Sequence, residues 1–182
     1  MIRFPLRIIL VETVQPDIER ITTAIHNIIE SPKVKVVKNL EDLKVQLHNF
    51  VPDVVISDYD FLTFTGLDVL ELTHKIDDTT QFIFFTGSIH DEELAANTIL
   101  SGATGFILKK HMDQLELKLK PLFKKVVFNL GVQEEVRDKI RRNKIAVNQI
   151  YNYLDSLHAE NQDQQKNISA IKKHIDQMNS QK

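Results

Sequence analysis

The fold of this chain is decided by a short stretch of sequence, VVISDYD (Val54–Asp60), in which an apolar run leads into two aspartates. A run this apolar is expected in a hydrophobic core, but burying an ionised carboxylate is costly unless the charge is paired. In a parallel sheet covered on both faces, strands are continuous apolar runs, and their carboxyl ends border the functional crevice. The stretch therefore predicts a core strand that delivers Asp58 to such a crevice.

Further apolar runs of the same kind lie on either side of this one. The five predicted strands are LRIILV (Leu6–Val11), VKVV (Val34–Val37), DVVIS (Asp53–Ser57), FIFFT (Phe82–Thr86) and GFILK (Gly105–Lys109). Helical patterns alternate with them, over Asp17–Ile29, Leu40–Phe50 (with Leu43, Val45 and Leu47 as its stripe), Gly66–Lys75, Asp91–Ser101 and from near Met112. This alternation favours an α/β fold, a flavodoxin-like doubly wound five-stranded parallel sheet.

Polar side chains stand at the predicted carboxyl ends of four strands. Glu12 follows the first strand, Asp58 follows the third, and Thr86 and Lys109 end the fourth and fifth. Because parallel strands end at one edge of the sheet, two carboxylates, a hydroxyl and an ammonium are expected to meet there. This edge of the predicted sheet is therefore the candidate functional site.

Several segments, in this order and at these spacings, resemble the receiver domain of bacterial response regulators over roughly residues 5 to 125. They are ILVE (Ile9–Glu12), PDVVISDYD (Pro52–Asp60), GLDVL (Gly66–Leu70), FFTGS (Phe84–Ser88) and SGATGFILKK (Ser101–Lys110). The resemblance implies a phosphorelay module, not itself an enzyme, that signals to a downstream protein. Its phosphoryl donor would be a histidine kinase or a phosphotransfer protein.

The resemblance also implies a role for each side chain at the edge. Asp58 accepts the phosphoryl group, and Lys109 pairs with the phosphoryl oxygens. Thr86 hydrogen-bonds one of those oxygens, and Phe106 then turns inward as a switch. The added charge of about −1.5 to −2 at neutral pH is enough to bias a two-state loop.

Magnesium is the cofactor that the resemblance implies, held by the carboxylates of Glu12 and Asp58 and the backbone carbonyl of Asp60. Receivers normally carry two adjacent acids after the first strand, whereas Glu12 is followed here by Thr13. Two readings stay open: a receiver with weakened magnesium affinity, or a non-phosphorylated pseudo-receiver that serves as a dimeric scaffold or interaction protein.

The composition changes near residue 130, and no glycine or proline follows Gly131. Apolar residues then recur at alternating spacings of three and four, which predicts a coiled coil. We therefore expect a receiver domain at 1–130, a helical dimerisation region at 133–182, and a homodimer. The predicted seam comprises Ile140, Val147, Ile150, Leu154, Leu157, Asn161, Ile168, Ile171 and Ile175.

This region allows two other interpretations. The polar stretch HAENQDQQKN (His158–Asn167) would let the helix break and Ile168–Met178 fold back as a hairpin. The basic cluster RDKIRRNK (Arg137–Lys144) invites comparison with a DNA-binding arm. Acidic neighbours dilute it, so a solvated face of the coiled coil is favoured and no DNA partner is expected.

The bulk composition excludes several functional classes. A net charge of −2 and a pI near 6.4 argue against a dedicated binder of nucleic acid or anionic membranes. The absence of cysteine excludes disulfides, thiolate metal sites and cysteine nucleophiles. The apolar run at the start is too short and too soon charged for a signal peptide. A cytoplasmic protein without a membrane partner is expected.

Overall fold

A computed structural model describes residues 1–87, 101–131 and 134–179, without the side chains of residues 134, 161, 163, 164, 167, 168 and 170–179. Each predicted strand is confirmed to within one residue at either end. The strands are β1 (Arg7–Val11), β2 (Lys33–Val37), β3 (Val54–Asp58), β4 (Gln81–Thr86) and β5 (Gly105–Leu108).

The strands form one parallel sheet in the order β2-β1-β3-β4-β5, which confirms the predicted flavodoxin-like fold. β3 is the central strand, with Ile56 in register between Leu10 of β1 and Ile83 of β4. The carboxyl ends of β1, β3, β4 and β5 consequently lie along one edge of the sheet, with the end of β3 in the middle.

Some helices connect successive strands, and others come after β5 in the chain. They are α1 (Gln15–Ile28), α2 (Leu40–Asn49), α3 (Gly66–Ile76), a 3-10 helix (Lys109–Gln114), α4 (Leu115–Leu130) and α5 (Glu134–Asn179). The helix expected near Met112 thus starts as a 3-10 turn and becomes α-helical at Leu115. The helix predicted over Asp91–Ser101 lies outside the described residues, except for Ser101, which is in a turn.

Both faces of the sheet are covered at β1, β3 and β4, which is why these strands are almost entirely apolar and buried. The edge strand β2 is mostly exposed. In β1, Ile8 and Leu10 pack in the cluster that includes residues of α1 and α4, whereas Ile9 and Val11 pack in the cluster that includes residues of α2 and α3. The apolar stripe predicted for α2 was partly wrong. Leu43 and Leu47 are buried, but Val45, two positions from either, is about half exposed.

Helix α5 is continuous from Glu134 to Asn179, through the polar stretch His158–Asn167. The hairpin alternative is therefore wrong. By its contacts the chain separates into two compact units, Met1–Arg141 and Arg142–Lys182, so the first two turns of α5 belong with the sheet. The division predicted at residues 130 to 133 stays a prediction. No helix in the described ranges is both long enough and apolar enough to span a membrane.

Candidate functional site

One ammonium group holds the carboxyl edge of the sheet together. Lys109, the first residue after β5, places its Nζ 2.8 Å from Glu12 Oε2, 2.7 Å from Asp58 Oδ2 and 2.7 Å from Asp17 Oδ2. The structure therefore brings together three residues that the sequence placed at this edge, Glu12, Asp58 and Lys109. It adds a fourth, Asp17, that the sequence analysis missed.

Asp17 lies in the first turn of α1, the helix that leaves β1 at this edge. An acidic residue in a first turn is usually explained by the helix dipole, so its position in the sequence did not single it out. The sequence signal that could have pointed to Asp17 is the short connection between β1, which ends at Val11, and α1, which starts at Gln15. This connection keeps the first turn of α1 near the carboxyl end of β1. Its side chain is 20% exposed, against 1% for Glu12, which makes Asp17 the outermost carboxylate on this ammonium.

The two buried carboxylates are also held by backbone amides. Glu12 Oε1 accepts hydrogen bonds from the N–H groups of Thr13 (2.7 Å) and Val14 (2.9 Å). Asp58 Oδ1 accepts one from Tyr59 N–H at 2.6 Å and a long one from Asp60 N–H at 3.4 Å. Both oxygens of each group are thus engaged, one by amides and the other by Lys109, so the ion cluster is fixed rather than solvated.

The protonation state of Lys109 follows from this environment. Burial alone would lower the pKa of the ammonium, but its hydrogen bonds to Asp17, Asp58 and Glu12 outweigh burial and raise the pKa above the ordinary value. Lys109 therefore stays positively charged at neutral pH.

The other predicted site residues occupy neighbouring positions. Thr86 is buried at the end of β4, in register with Leu108, the residue before Lys109. Phe106 is half-buried on β5 beside Phe84 and packs against the cluster that α2 and α3 share. The roles predicted for Thr86 and Phe106, and for the carbonyl of Asp60, stay predictions.

A glycine lets the loop after Asp58 close tightly. Gly66 starts α3, and its N–H donates to Tyr59 O at 2.8 Å. A Cβ at this position would lie 2.7 Å from Asp58 O and 2.8 Å from the ring of Phe84, closer than such atoms can approach. Only glycine lets α3 begin directly against the backbone of Asp58.

The family follows from the length of the match. Residues 8–120 match the family model of the response regulator receiver domain. The chain belongs to this family. No curated protein matches it at a significant level.

Solved receiver structures share the fold at low sequence identity. The signal receiver domain of a Luxo repressor protein from Vibrio parahaemolyticus is 23% identical, with a TM-score of 0.59 over 69% of this chain and 95% of that one. The response regulator domain of Thermotoga maritima CheB is 19% identical, with a TM-score of 0.59 over 71% and 99%. The phosphorylated cyanobacterial phytochrome response regulator RcpA is 20% identical, with a TM-score of 0.56 over 65% and 91%.

Receiver domains generally bind Mg²⁺, and the donor set of this receiver fits a divalent cation. Carboxylate oxygens are the ligands that Mg²⁺ prefers. Three carboxylates around one ammonium leave two formal negative charges, which a divalent cation would balance. No three acidic or histidine side chains in the described ranges form a ready metal site. The point on which Glu12, Asp17 and Asp58 converge is taken by the Lys109 ammonium, so a metal ion would have to share the carboxylates with it.

A second ion cluster of the receiver lies at the opposite end of β3. Asp53, 5% exposed, accepts the N–H of Arg7 at 2.8 Å and ion-pairs with Arg137 and with Arg141, the latter at 2.7 Å. Both arginines come from the first two turns of α5. The solvated face expected for the basic cluster is therefore wrong for these two residues, since each side chain is only about one-tenth exposed. We call the cluster of Asp53, Arg137 and Arg141 the Asp53 clamp.

Proposed function

We propose that Asp58 accepts a phosphoryl group from the phosphohistidine of a histidine kinase or a phosphotransfer protein. The observation that carries the proposal is the 2.7 Å contact between Asp58 Oδ2 and Lys109 Nζ on the central strand end of a receiver fold. Asp58 is flanked there by the ends of β1 and β4. A donor that approaches this edge would meet the acceptor together with its counter-charge.

The transfer is a displacement at phosphorus. A carboxylate oxygen of Asp58 attacks the phosphorus atom, the P–N bond to the donor imidazole breaks, and the leaving nitrogen takes up a proton. The product is an acyl phosphate on Asp58. Lys109 counters the negative charge of the transferred group, and electrostatic stabilisation of this kind carries most of the catalysis in phosphoryl transfer. The chain is thus a phosphoryl acceptor rather than an enzyme with a separate substrate.

Magnesium at the site would be held by Glu12, Asp58 and the carbonyl of Asp60, and when bound it neutralises charge on the phosphoryl oxygens. We propose that the affinity is weak, because neutral Thr13 stands where a second acid would supply a charged ligand. The loss of even one supporting group around a metal typically costs about 10–100-fold in affinity or activity.

The response to phosphorylation would pass through Thr86 and Phe106. The new phosphoryl group carries a charge of about −1.5 to −2 at neutral pH and accepts hydrogen bonds at three oxygens. Thr86 is proposed to donate one of these bonds and to move toward the phosphoryl group. Phe106, half-buried on β5 and in register with Phe84, two residues before Thr86, would then turn into the space that the threonine leaves.

Output is proposed to run through protein contacts, with two copies joined by α5. Val147, Ile150 and Leu154 lie on the predicted seam and are each about half exposed or more within their own chain. An apolar stripe of this kind on a long helix calls for a partner helix. The downstream partner is a protein of unknown identity. A cytoplasmic location stays an expectation from the sequence.

Incubation with acetyl phosphate and magnesium tests the proposal. Intact mass spectrometry should show one phosphoryl adduct, absent from Asp58→Asn. Asp60→Asn, a change of the same chemistry at an exposed neighbour whose proposed contribution is a backbone carbonyl, should keep it. A parent protein that never forms the adduct would favour the pseudo-receiver scaffold instead.

A further inference from the structure

The third carboxylate on Lys109 has no part in the function proposed above. Asp17 Oδ2 lies 2.7 Å from Lys109 Nζ, as close as Asp58 Oδ2 does. It reaches the cluster from a helix, five positions after Glu12, rather than from a strand end. The side chain is part-buried and directed to the site, so it is more than a solvated charge at a helix terminus.

The formal charges around Lys109 suggest a role for Asp17 in cation binding. Without it, Glu12 and Asp58 against one ammonium would leave a single formal negative charge at the edge. With it, the excess is two, the charge of a divalent cation. Thr13 cannot contribute this charge: its side chain is neutral and exposed, and its backbone N–H is bound to Glu12 Oε1.

We infer that Asp17 is the third carboxylate of the cation site and replaces, from the first turn of α1, the acid that is absent at Thr13. The inference rests on the proposed function, because it concerns the magnesium ion that would support phosphorylation of Asp58. Asp17 would hold the ion directly or through the water that Mg²⁺ retains in most protein sites. The residual magnesium affinity of this receiver then depends on Asp17.

The alternative is that Asp17 serves α1 alone, through the helix dipole. Its carboxylate, however, contacts Lys109, and the N-cap residue of α1, Val14, makes no side-chain hydrogen bond to the helix. A role restricted to the helix would therefore leave magnesium affinity unchanged when the charge is removed. The two roles differ in a quantity that can be measured directly.

Titration of the full chain with MgCl₂ by isothermal calorimetry tests the inference. Asp17→Asn should bind Mg²⁺ at least about tenfold more weakly than the parent, as for the loss of a group that supports a metal. Glu19→Gln should bind like the parent, because Glu19 lies on α1 but hydrogen-bonds Gln15 instead of Lys109. Adding Thr13→Asp to Asp17→Asn should restore the affinity, because a carboxylate then returns at the position that Asp17 is inferred to replace. Equal affinity of Asp17→Asn and the parent would overturn the inference.

A second readout separates this inference from the proposed function. At saturating magnesium, acetyl phosphate should still modify Asp17→Asn, because Asp58 remains the nucleophile. If the parent forms the adduct and Asp17→Asn binds Mg²⁺ equally well, only the inference fails. If Asp17→Asn binds weakly but the parent never forms the adduct, only the proposed function fails.

Thermal melting of each variant, followed by circular dichroism, establishes that a weak binder is folded. Should Asp17→Asn not fold, Asp17→Glu, which keeps the charge, must bind like the parent, and a loss of affinity there overturns the inference.

Discussion

At the Lys109 ammonium, one positive charge keeps three carboxylates within hydrogen-bond distance. Because the folded pKa of Lys109 is raised above its ordinary value of 10.5, its stabilising effect is fully present below that pH. The effect is lost only as the pH rises toward the folded pKa. Changes of pH around neutrality therefore leave the positive side of the cluster intact, whereas the proposed phosphorylation of Asp58 would alter its charge.

Gly66 gives a prediction about the loop that follows Asp58. Gly66→Ala should destabilise the protein by about 1–3 kcal/mol, the usual cost of forcing extra volume into a packed region. Its new methyl group would collide with Asp58 O and the ring of Phe84. The free energy of unfolding in urea measures the effect.

Gly87→Ala is the matched control, since the nearest atom to a new Cβ there is Lys109 Cδ at 3.8 Å. Its stability should stay close to that of the parent. Equal stability of the two alanine variants would show that the close approach at Gly66 relaxes without cost.

At the residue scale the sequence predicted the strand-end side chains and missed the helical one. Glu12, Asp58 and Lys109 could be placed together because parallel strands end at one edge. Asp17 could not, because a first-turn acid has an ordinary helical explanation and its contact with Lys109 joins residues far apart in the sequence. Contacts of this kind depend on how α1 leaves the sheet, which periodicity does not encode.

Helix α3 begins with a capping box in which Thr65 and Asp68 hydrogen-bond each other's backbone N–H. These bonds, first the one from the Thr65 backbone and then the one from its side chain, lower the pKa of Asp68 from its ordinary 3.8. A lowered carboxyl pKa stabilises the folded state above the unfolded value, and the benefit is lost as the pH falls through the folded value.

Asp68→Asn should therefore cost about 0.3–1 kcal/mol at neutral pH, the range for an exposed acidic side chain in the first turn of a helix. The cost should shrink as the pH falls below 3.8, where Asp68 of the parent becomes protonated. Urea unfolding at neutral pH and below pH 3.8 measures the change in unfolding free energy. Glu71→Gln, at an exposed position on the same helix, is the control. A cost that does not change with pH would contradict the role given to the charge.

The Asp53 clamp ties the start of α5 to the sheet. Replacing Arg137 and Arg141 together by alanine in the full chain should lower the free energy of unfolding by about 3 kcal/mol, because a buried carboxylate then loses its ion-pair partners. Lys139→Ala, exposed on the same turns, should change it by less than about 0.5 kcal/mol.

Adding Asp53→Asn tests the cause of this loss. Without the buried charge, the arginine replacements should cost clearly less than they do with Asp53 present. An unchanged cost would mean that packing of α5, for example Arg137 over the ring of Phe4, accounts for the effect.

At the scale of elements, the sequence predicted all five strands, most plainly β1, β3 and β4, which are apolar runs buried almost throughout. The edge strand β2 is largely exposed and was predicted from its valines and its place in the alternation of strands and helices. It also predicted the long helix, from its heptad pattern and the absence of glycine and proline after Gly131. The docking of the first turns of α5 was not predictable. These turns are held to the sheet by Arg137 and Arg141, which both ion-pair with the buried Asp53. Two arginines four positions apart on a solvent-exposed helix would have the same sequence, so the sequence does not reveal the ion pairs.

For the whole molecule, the central prediction is a dimer held by α5. Changing Ile150 and Leu154 to lysine should convert it to a monomer, because like charges would face each other in an apolar seam. Asn152→Lys, at a heptad position away from the seam, should leave the dimer intact. Light scattering gives the mass of each variant, and a dimer that survives the double change would place the interface elsewhere.

The seam side chains Asn161, Ile168, Ile171 and Ile175 lie outside the described ones, so their part in the seam stays a prediction.

The claim that Asp58 is the phosphoryl acceptor is tested most directly by finding which carboxylate is modified. Three carboxylates contact Lys109, and intact mass alone does not tell them apart in the unmutated chain. Borohydride reduces an acyl phosphate to an alcohol, which leaves a stable mark on the residue that carried the phosphoryl group. After treatment with acetyl phosphate and magnesium, tandem mass spectrometry should find this mark at Asp58 alone. A mark at Glu12 or Asp17, or no mark at all, would contradict the account.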